Sequence, residues 1–155
     1  MPILEPGDHL LYSGSGFWSW TIKVKTWSKY SHVELYIGNS KTFTSRDGEG
    51  VNFYDFTDKN LAAVYRPNVP FDISKGMEWM KSVCGQKYDF WGLMRFFTLG
   101  KQSQDKQFCS EAVVRADRQC LIEAFNQVYD ADLVSPGMFA SSPHLDLVWE
   151  KEKTK

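Results

Sequence analysis

Nowhere does this chain run uncharged and apolar for the ~18 residues that a membrane-spanning helix needs, so no such helix is expected. It also lacks a surplus of either charge. Lys and Arg number 18 against 19 Asp and Glu, for a net charge of −1, and the basic footprint of a nucleic-acid binder is missing. Cysteine is sparse: Cys84, Cys109 and Cys120 form no C-x-x-C pair, and an odd count at irregular spacing is unlike a disulfide framework. The opening Met1-Pro2-Ile3-Leu4-Glu5-Pro6-Gly7-Asp8 has neither a basic lead nor the apolar segment of a secretory signal. A reducing, cytoplasmic setting with free thiols is therefore expected. The histidines, His9, His32 and His144, lie far apart in sequence, so a structural zinc site is not expected.

What is present is the material of a core. Hydrophobic residues make up 43% and aromatic residues 15% of 155 residues. A chain of that length can bury roughly two thirds of its unfolded surface as one domain. With no internal repeat or linker, residues 1–155 read as a single domain, with 150–155 as a polar tail.

Short strands come first. They are read at His9–Tyr12, Ser31–Asn39, Lys41–Ser45, Gly50–Phe56 and Leu61–Arg66, the last stopped by Pro67. Met77, Met80, Val83 and Cys84 then recur at helical spacing after Ser74, a candidate N-cap. Tyr88–Leu99 is aromatic-dense and reads as helical in part. One or two helices are expected from Ser110 to about Val128, a helical turn at Met138–Ala140 and a last strand at Leu145–Trp149. In Phe17–Trp27 two periods compete. Trp18, Trp20, Ile22 and Val24 alternate as in a strand, whereas Phe17, Trp20, Thr21, Val24 and Trp27 make a helical stripe. Strands first and helices later predict an α+β domain.

The chemistry centres on Gln107-Phe108-Cys109-Ser110-Glu111, where an irregular polar segment gives way to a helical apolar run. A thiol at a helix start meets unpaired N–H groups and the positive end of the helix dipole. Both favour the thiolate, which is the nucleophilic form. Such a nucleophile needs a base, and the base needs an orienting partner. His32 is the candidate base, because it opens a well-marked strand. Two residues could orient it: Glu34, on the same strand face, or Thr44, on the next strand. Glu111 reads as a dipole-favourable acid, Cys84 and Cys120 as packing residues, His9 as a strand-surface residue, and Arg66 has no evident partner.

These residues resemble a known group. Gly7-Asp8 followed by Tyr30-Ser31-His32-Val33-x-Leu35-Tyr36-Ile37-Gly38 is similar to the histidine strand of the NlpC-type cysteine hydrolases. Tyr88-Asp89-Phe90-Trp91-Gly92 resembles their Tyr-x-Trp-Gly segment, and Phe108-Cys109-Ser110-Glu111 their nucleophile motif. In most members the cysteine precedes the histidine. Here His32 precedes Cys109, as in the circularly permuted, YiiX/YaeF-like papain-fold amidase branch; Ser135-Pro136-Gly137 to Ser142-Pro143 also resembles that branch's C-terminal segment, except at His144. Two positions depart from the usual pattern: Thr44 stands where a His or acid is common on the second strand, and Glu34 where glycine is frequent.

The resemblance implies a papain-like fold with permuted motif order and a small sheet against helices. It makes Phe17–Trp27 a helix, Cys109 the nucleophile, His32 the base and Tyr88 a hydroxyl near the oxyanion. The expected activity is hydrolysis of an amide, peptide or isopeptide, without metal or organic cofactor. Two alternatives remain open. One is lipid acyl transfer or thioester hydrolysis of the lecithin:retinol acyltransferase-like type, suggested by the tryptophan-rich, lysine-bearing Phe17–Trp27. The other is a non-catalytic binding module, suggested by Thr44.

Overall fold

A computed structural model describes residues 3–14, 28–88, 106–107, 109–125 and 130–152. Five strands follow in quick succession: β1 (His9–Tyr12), β2 (His32–Gly38), β3 (Lys41–Arg46), β4 (Gly50–Asp55) and β5 (Leu61–Pro67). Helix α1 (Ile73–Val83), short strands β6 (Lys87–Tyr88) and β7 (Lys106–Gln107), helix α2 (Cys109–Gln119), two 3₁₀ turns and β8 (Leu145–Glu150) complete the described chain. The main sheet has six strands in the order β4-β3-β2-β1-β5-β8, and every neighbouring pair is antiparallel. The fold is α+β, and among the described residues no helix is long and apolar enough to cross a membrane.

Strand β1 lies at the sheet's centre and is buried throughout. That explains why His9-Leu10-Leu11-Tyr12 shows no polar alternation: each face meets its own apolar cluster. Leu11 joins Val33, Leu35, Ala112, Val113 and Ala116 under α2, while Leu10 and Tyr12 join Leu61 and Val64 on the other face. The period-2 rule places His9 on the helix side with Leu11, and His32 and Glu34 on the side of Tyr12.

Helix α2 packs on β2, β3 and α1. Ala112, Val113 and Ala116 are fully buried, and these small residues let the helix lie close to the sheet. It ends where Leu121 takes a left-handed φ of 62° and the Ile122 N–H turns back to the Asp117 carbonyl at 2.8 Å. The helix expected to run toward Val128 therefore stops at Gln119; residues 126–129 lie outside the described set.

Other boundaries shift for local reasons. The N-cap of α1 is Asp72, not Ser74: its extended backbone lets the carboxylate accept the Ser74 N–H at 3.0 Å. Glu150 is the last residue of β8, opposite Ala63, rather than the start of a tail; Lys151 N–H extends the contact to the Ala62 carbonyl. Lys87–Tyr88 is a strand paired in parallel with Lys106–Gln107; the remainder of Tyr88–Leu99, expected to be helical in part, and Phe17–Trp27 lie outside the described residues.

Candidate active site

The site forms where two strands part. Pairing of β2 with β3 runs from Gly38–Lys41 to Leu35–Phe43 and stops there. One residue pair further, the Val33 carbonyl accepts the Thr44 hydroxyl at 2.8 Å in place of a ladder bond. The Val33 N–H, on the same strand edge, donates to the Cys109 sulfur, and so does the Ser110 N–H at the start of α2. Cys109 is thus the first residue of a helix whose N-terminus enters the gap between β2 and β3.

The structure brings Cys109, His32 and Glu34 together. The Cys109 and His32 side chains are hydrogen-bonded to each other. The His32 Nε2 is 3.0 Å from Glu34 Oε1, which leaves Nδ1 for the sulfur. Glu34 is almost wholly buried, and its Oε1 also accepts Arg46 Nε at 3.0 Å and Arg46 Nη2 at 2.7 Å. The Tyr12 hydroxyl approaches Oε2 at 3.4 Å and the Thr57 carbonyl at 3.1 Å, and its ring lies 5.9 Å from the imidazole. Arg46 rests on the Tyr54 ring at 4.1 Å. Thiol, imidazole, carboxylate and guanidinium form a row of alternating charge.

Electrostatics in this row follow from pairing outweighing burial. Desolvation acts against the His32 imidazolium, but the Cys109 thiolate and then Glu34 outweigh it and raise its pKa to about 10. Burial likewise opposes the Cys109 thiolate. The His32 charge and hydrogen bond, with the Val33 and Ser110 N–H groups, outweigh it and bring the thiol below its usual range. For Glu34, burial is again the largest influence and is overcome by His32 and then Arg46, which hold the carboxyl at about 2. Burial and Glu34 push the Tyr12 hydroxyl well above its usual value. Each partner thus favours the charged form of the other. The His32 side chain keeps 27% of its surface exposed, whereas Cys109 beside it is buried.

The other cysteines have no such surroundings. Burial pushes Cys120, on the far end of the same helix, up to about 12, and Cys84 is likewise raised while its thiol donates to the Met80 carbonyl at 3.2 Å. Thr44 is not beside the imidazole; its hydroxyl is committed to the Val33 carbonyl. For Tyr88 the backbone is placed, at the end of β6, and its side chain lies outside the described residues. Glu111 is buried one half-turn into α2 and pairs with Arg115 at 2.6 Å.

Several contributors escaped sequence reasoning. Arg46 lies at the end of β3, and only the strand register brings it to Glu34. His9 is not on the surface. It is fully buried against α2, with Nε2 at 3.0 and 2.9 Å from the two Asp117 oxygens and its ring 5.3 Å from Phe139. Arg66 does have partners: it grips buried Asp8 at 2.8 and 2.9 Å and pairs with Glu5 at 2.8 Å. The Gly7-Asp8 dipeptide was the available signal, since an acid opening a buried strand requires a cation.

No family model matches this chain, and no curated protein does. Among solved structures, the chain is similar to the crystal structure of the metalloprotein yiiX from Escherichia coli O157:H7, DUF1105. The TM-score is 0.68 at 20% identity, over 95% of this chain and 97% of that one. The similarity establishes a shared α+β fold with a six-stranded antiparallel sheet.

Proposed function

We propose that this chain is a cysteine hydrolase of the papain-like, circularly permuted kind, cleaving an amide such as a peptide or isopeptide through an acyl-thioester on Cys109. The observation that carries this reading is the Cys109–His32–Glu34 row, with the thiol at a helix start and the imidazole held from its far side. The order of the motifs supports the permutation, because the histidine strand precedes the nucleophile helix.

The chemistry follows from the charges. The Cys109 thiolate attacks the carbonyl carbon, a C–S bond forms, and negative charge moves to the carbonyl oxygen. N–H groups at the start of α2 are the nearby donors for that charge. His32 gives its proton to the leaving nitrogen, the C–N bond breaks, and an amine departs from the acyl-thioester. Water then attacks the thioester with neutral His32 taking its proton. Cleavage of the C–S bond releases the acid and restores thiolate and imidazolium. Glu34 holds the imidazole in plane throughout.

The description of yiiX as a metalloprotein raises the question of a metal. Among the described residues no group of three or more His, Cys, Asp or Glu side chains is arranged to hold one, and Glu34 Oε1 already accepts from His32 and Arg46. The described residues thus do not fit a metal at this site.

The test is covalent capture. An electrophilic acyl-amide probe should label wild type at Cys109, as located by peptide mass spectrometry, and label neither Cys109→Ala nor His32→Ala. Labelling spread equally over Cys84, Cys109 and Cys120 would overturn the proposal.

A further inference from the structure

A carboxylate is an awkward partner for a catalytic imidazole beside a thiolate. It orients the ring, but its negative charge also opposes ionisation of the thiol. Arg46 bears on this conflict. It lies at the end of β3, and both its Nε and its Nη2 donate to Glu34 Oε1, the same oxygen that faces His32. The guanidinium is itself held from below by the Tyr54 ring at 4.1 Å, and Tyr54 in turn donates its hydroxyl to the Gly50 carbonyl at 2.7 Å. Glu34 is buried to within 2% of its surface, so screening by water is weak there.

We propose that Arg46 is a positioning residue that cancels the charge of Glu34, so that the carboxylate orients His32 without opposing the Cys109 thiolate. This rests on the cysteine-hydrolase reading above and deepens it. Among the described residues, the ionisable groups around the pair are few. Tyr12 comes from β1, Glu34 from β2, Arg46 from β3 and Tyr54 from β4, with Asp58 acting on Tyr12 and Glu49 on Tyr54. Among these, Arg46 is the cation in direct contact with Glu34. Without it, the buried carboxylate would present its whole charge to the site.

The sign is therefore definite. Loss of Arg46 raises the pH at which Cys109 becomes a thiolate, and loss of Glu34 together with Arg46 lowers it again, because a neutral Gln still accepts from the imidazole. The experiment follows the rate of iodoacetamide alkylation at Cys109 against pH, read by peptide mass spectrometry, in wild type, Arg46→Gln, Arg46→Lys and the double variant Glu34→Gln/Arg46→Gln. Arg46→Gln should move the low-pH limb up by about one unit, a roughly tenfold slower reaction at any pH on that limb. Arg46→Lys should fall between it and wild type. The double variant should return toward wild type, a recovery that a merely structural role would not give, and it removes both buried charges should Arg46→Gln fail to fold.

An unmoved limb in Arg46→Gln, or a double variant displaced at least as far as Arg46→Gln, overturns the inference while leaving the nucleophile in place. A wild-type Cys109 with no low-pH reactivity overturns the underlying reading instead. The two failures are distinguishable.

Discussion

Two histidine–carboxylate pairs have their histidines on neighbouring strands of this sheet, and both meet helix α2. His32 and Glu34 meet on one face of the sheet, beside the helix's first residue. His9 and Asp117 meet on the other, beneath its second half. The distances are alike, 3.0 Å in one and 2.9 to 3.0 Å in the other, so geometry within the pair does not separate them. Their surroundings do. His32 is partly open and has a thiol at its other nitrogen, and its carboxylate is neutralised by Arg46. His9 is sealed, its Nδ1 has no hydrogen-bond partner among the described residues, and no cysteine hydrogen-bonds to it. A histidine and a carboxylate thus make the proposed reactive site where solvent, a nucleophile and a cation converge, and a structural clamp where they do not.

The largest effect expected from this contrast is on thiol reactivity. His32→Ala removes the charge that holds the Cys109 thiol below its usual range. Alkylation of Cys109 at pH 6 should slow by at least tenfold. His9→Ala should leave that rate within about twofold of wild type once the folded fraction is matched by circular dichroism. Equal losses in both variants would erase the distinction between site and clamp.

Acid titration should separate the two carboxylates by sign. Glu34 is held at about 2, below its unfolded value of 4.5, so its stabilisation is present above 4.5 and is lost as pH falls toward 2. That contribution is about 3 kcal/mol, measurable as a steep acid limb in urea unfolding that Glu34→Gln flattens. Asp117 runs the other way. Burial holds its carboxyl above the usual range, though the His9 charge offsets part of this. Its folded form prefers the proton, and protonation as pH falls favours the native state. Asp117→Asn should therefore make the acid limb steeper, and a flatter limb would contradict the assignment.

Removing the clamp outright tests its structural role. Asp117→Ala leaves His9 buried without its partner and should cost about 3 kcal/mol, with a lower urea midpoint and an unchanged slope. The low-pH limb of Cys109 alkylation should stay where it is. Movement of that limb would make Asp117 part of the site.

How much of this was legible beforehand depends on whether a feature is local. The strands from β2 to β5 and the start of α2 carry their signals in adjacent residues, and so does the parity that puts Glu34 beside His32. Cys109 at a helix start and His32 at a strand start carried local signals too, and the short motifs of the resemblance added to both. Arg46, the burial of His9 and the partnership of Asp8 with Arg66 depend on strand order and register, which no short window contains. His9 is the instructive failure. One polar residue at the start of an apolar strand reads as an exposed end, whereas β1 is the strand that both flanks of the sheet enclose.

The smallest effect sharpens the one choice the sequence left open. Thr44 and Glu34 were the two candidates to orient His32, yet the Thr44 hydroxyl donates to the Val33 carbonyl. In that position it replaces the ladder bond missing where β2 and β3 part, and keeps the Val33 N–H aimed at the Cys109 sulfur. Thr44→Val keeps the shape and deletes the hydroxyl, so it should lower stability by about 1 kcal/mol and leave His32 in place. The alkylation limb should shift by much less than in Glu34→Ala, which strips the imidazole of its partner. A Thr44→Val limb displaced as far as that of Glu34→Ala would transfer the orienting role to Thr44 and leave Glu34 as the counter-ion of Arg46.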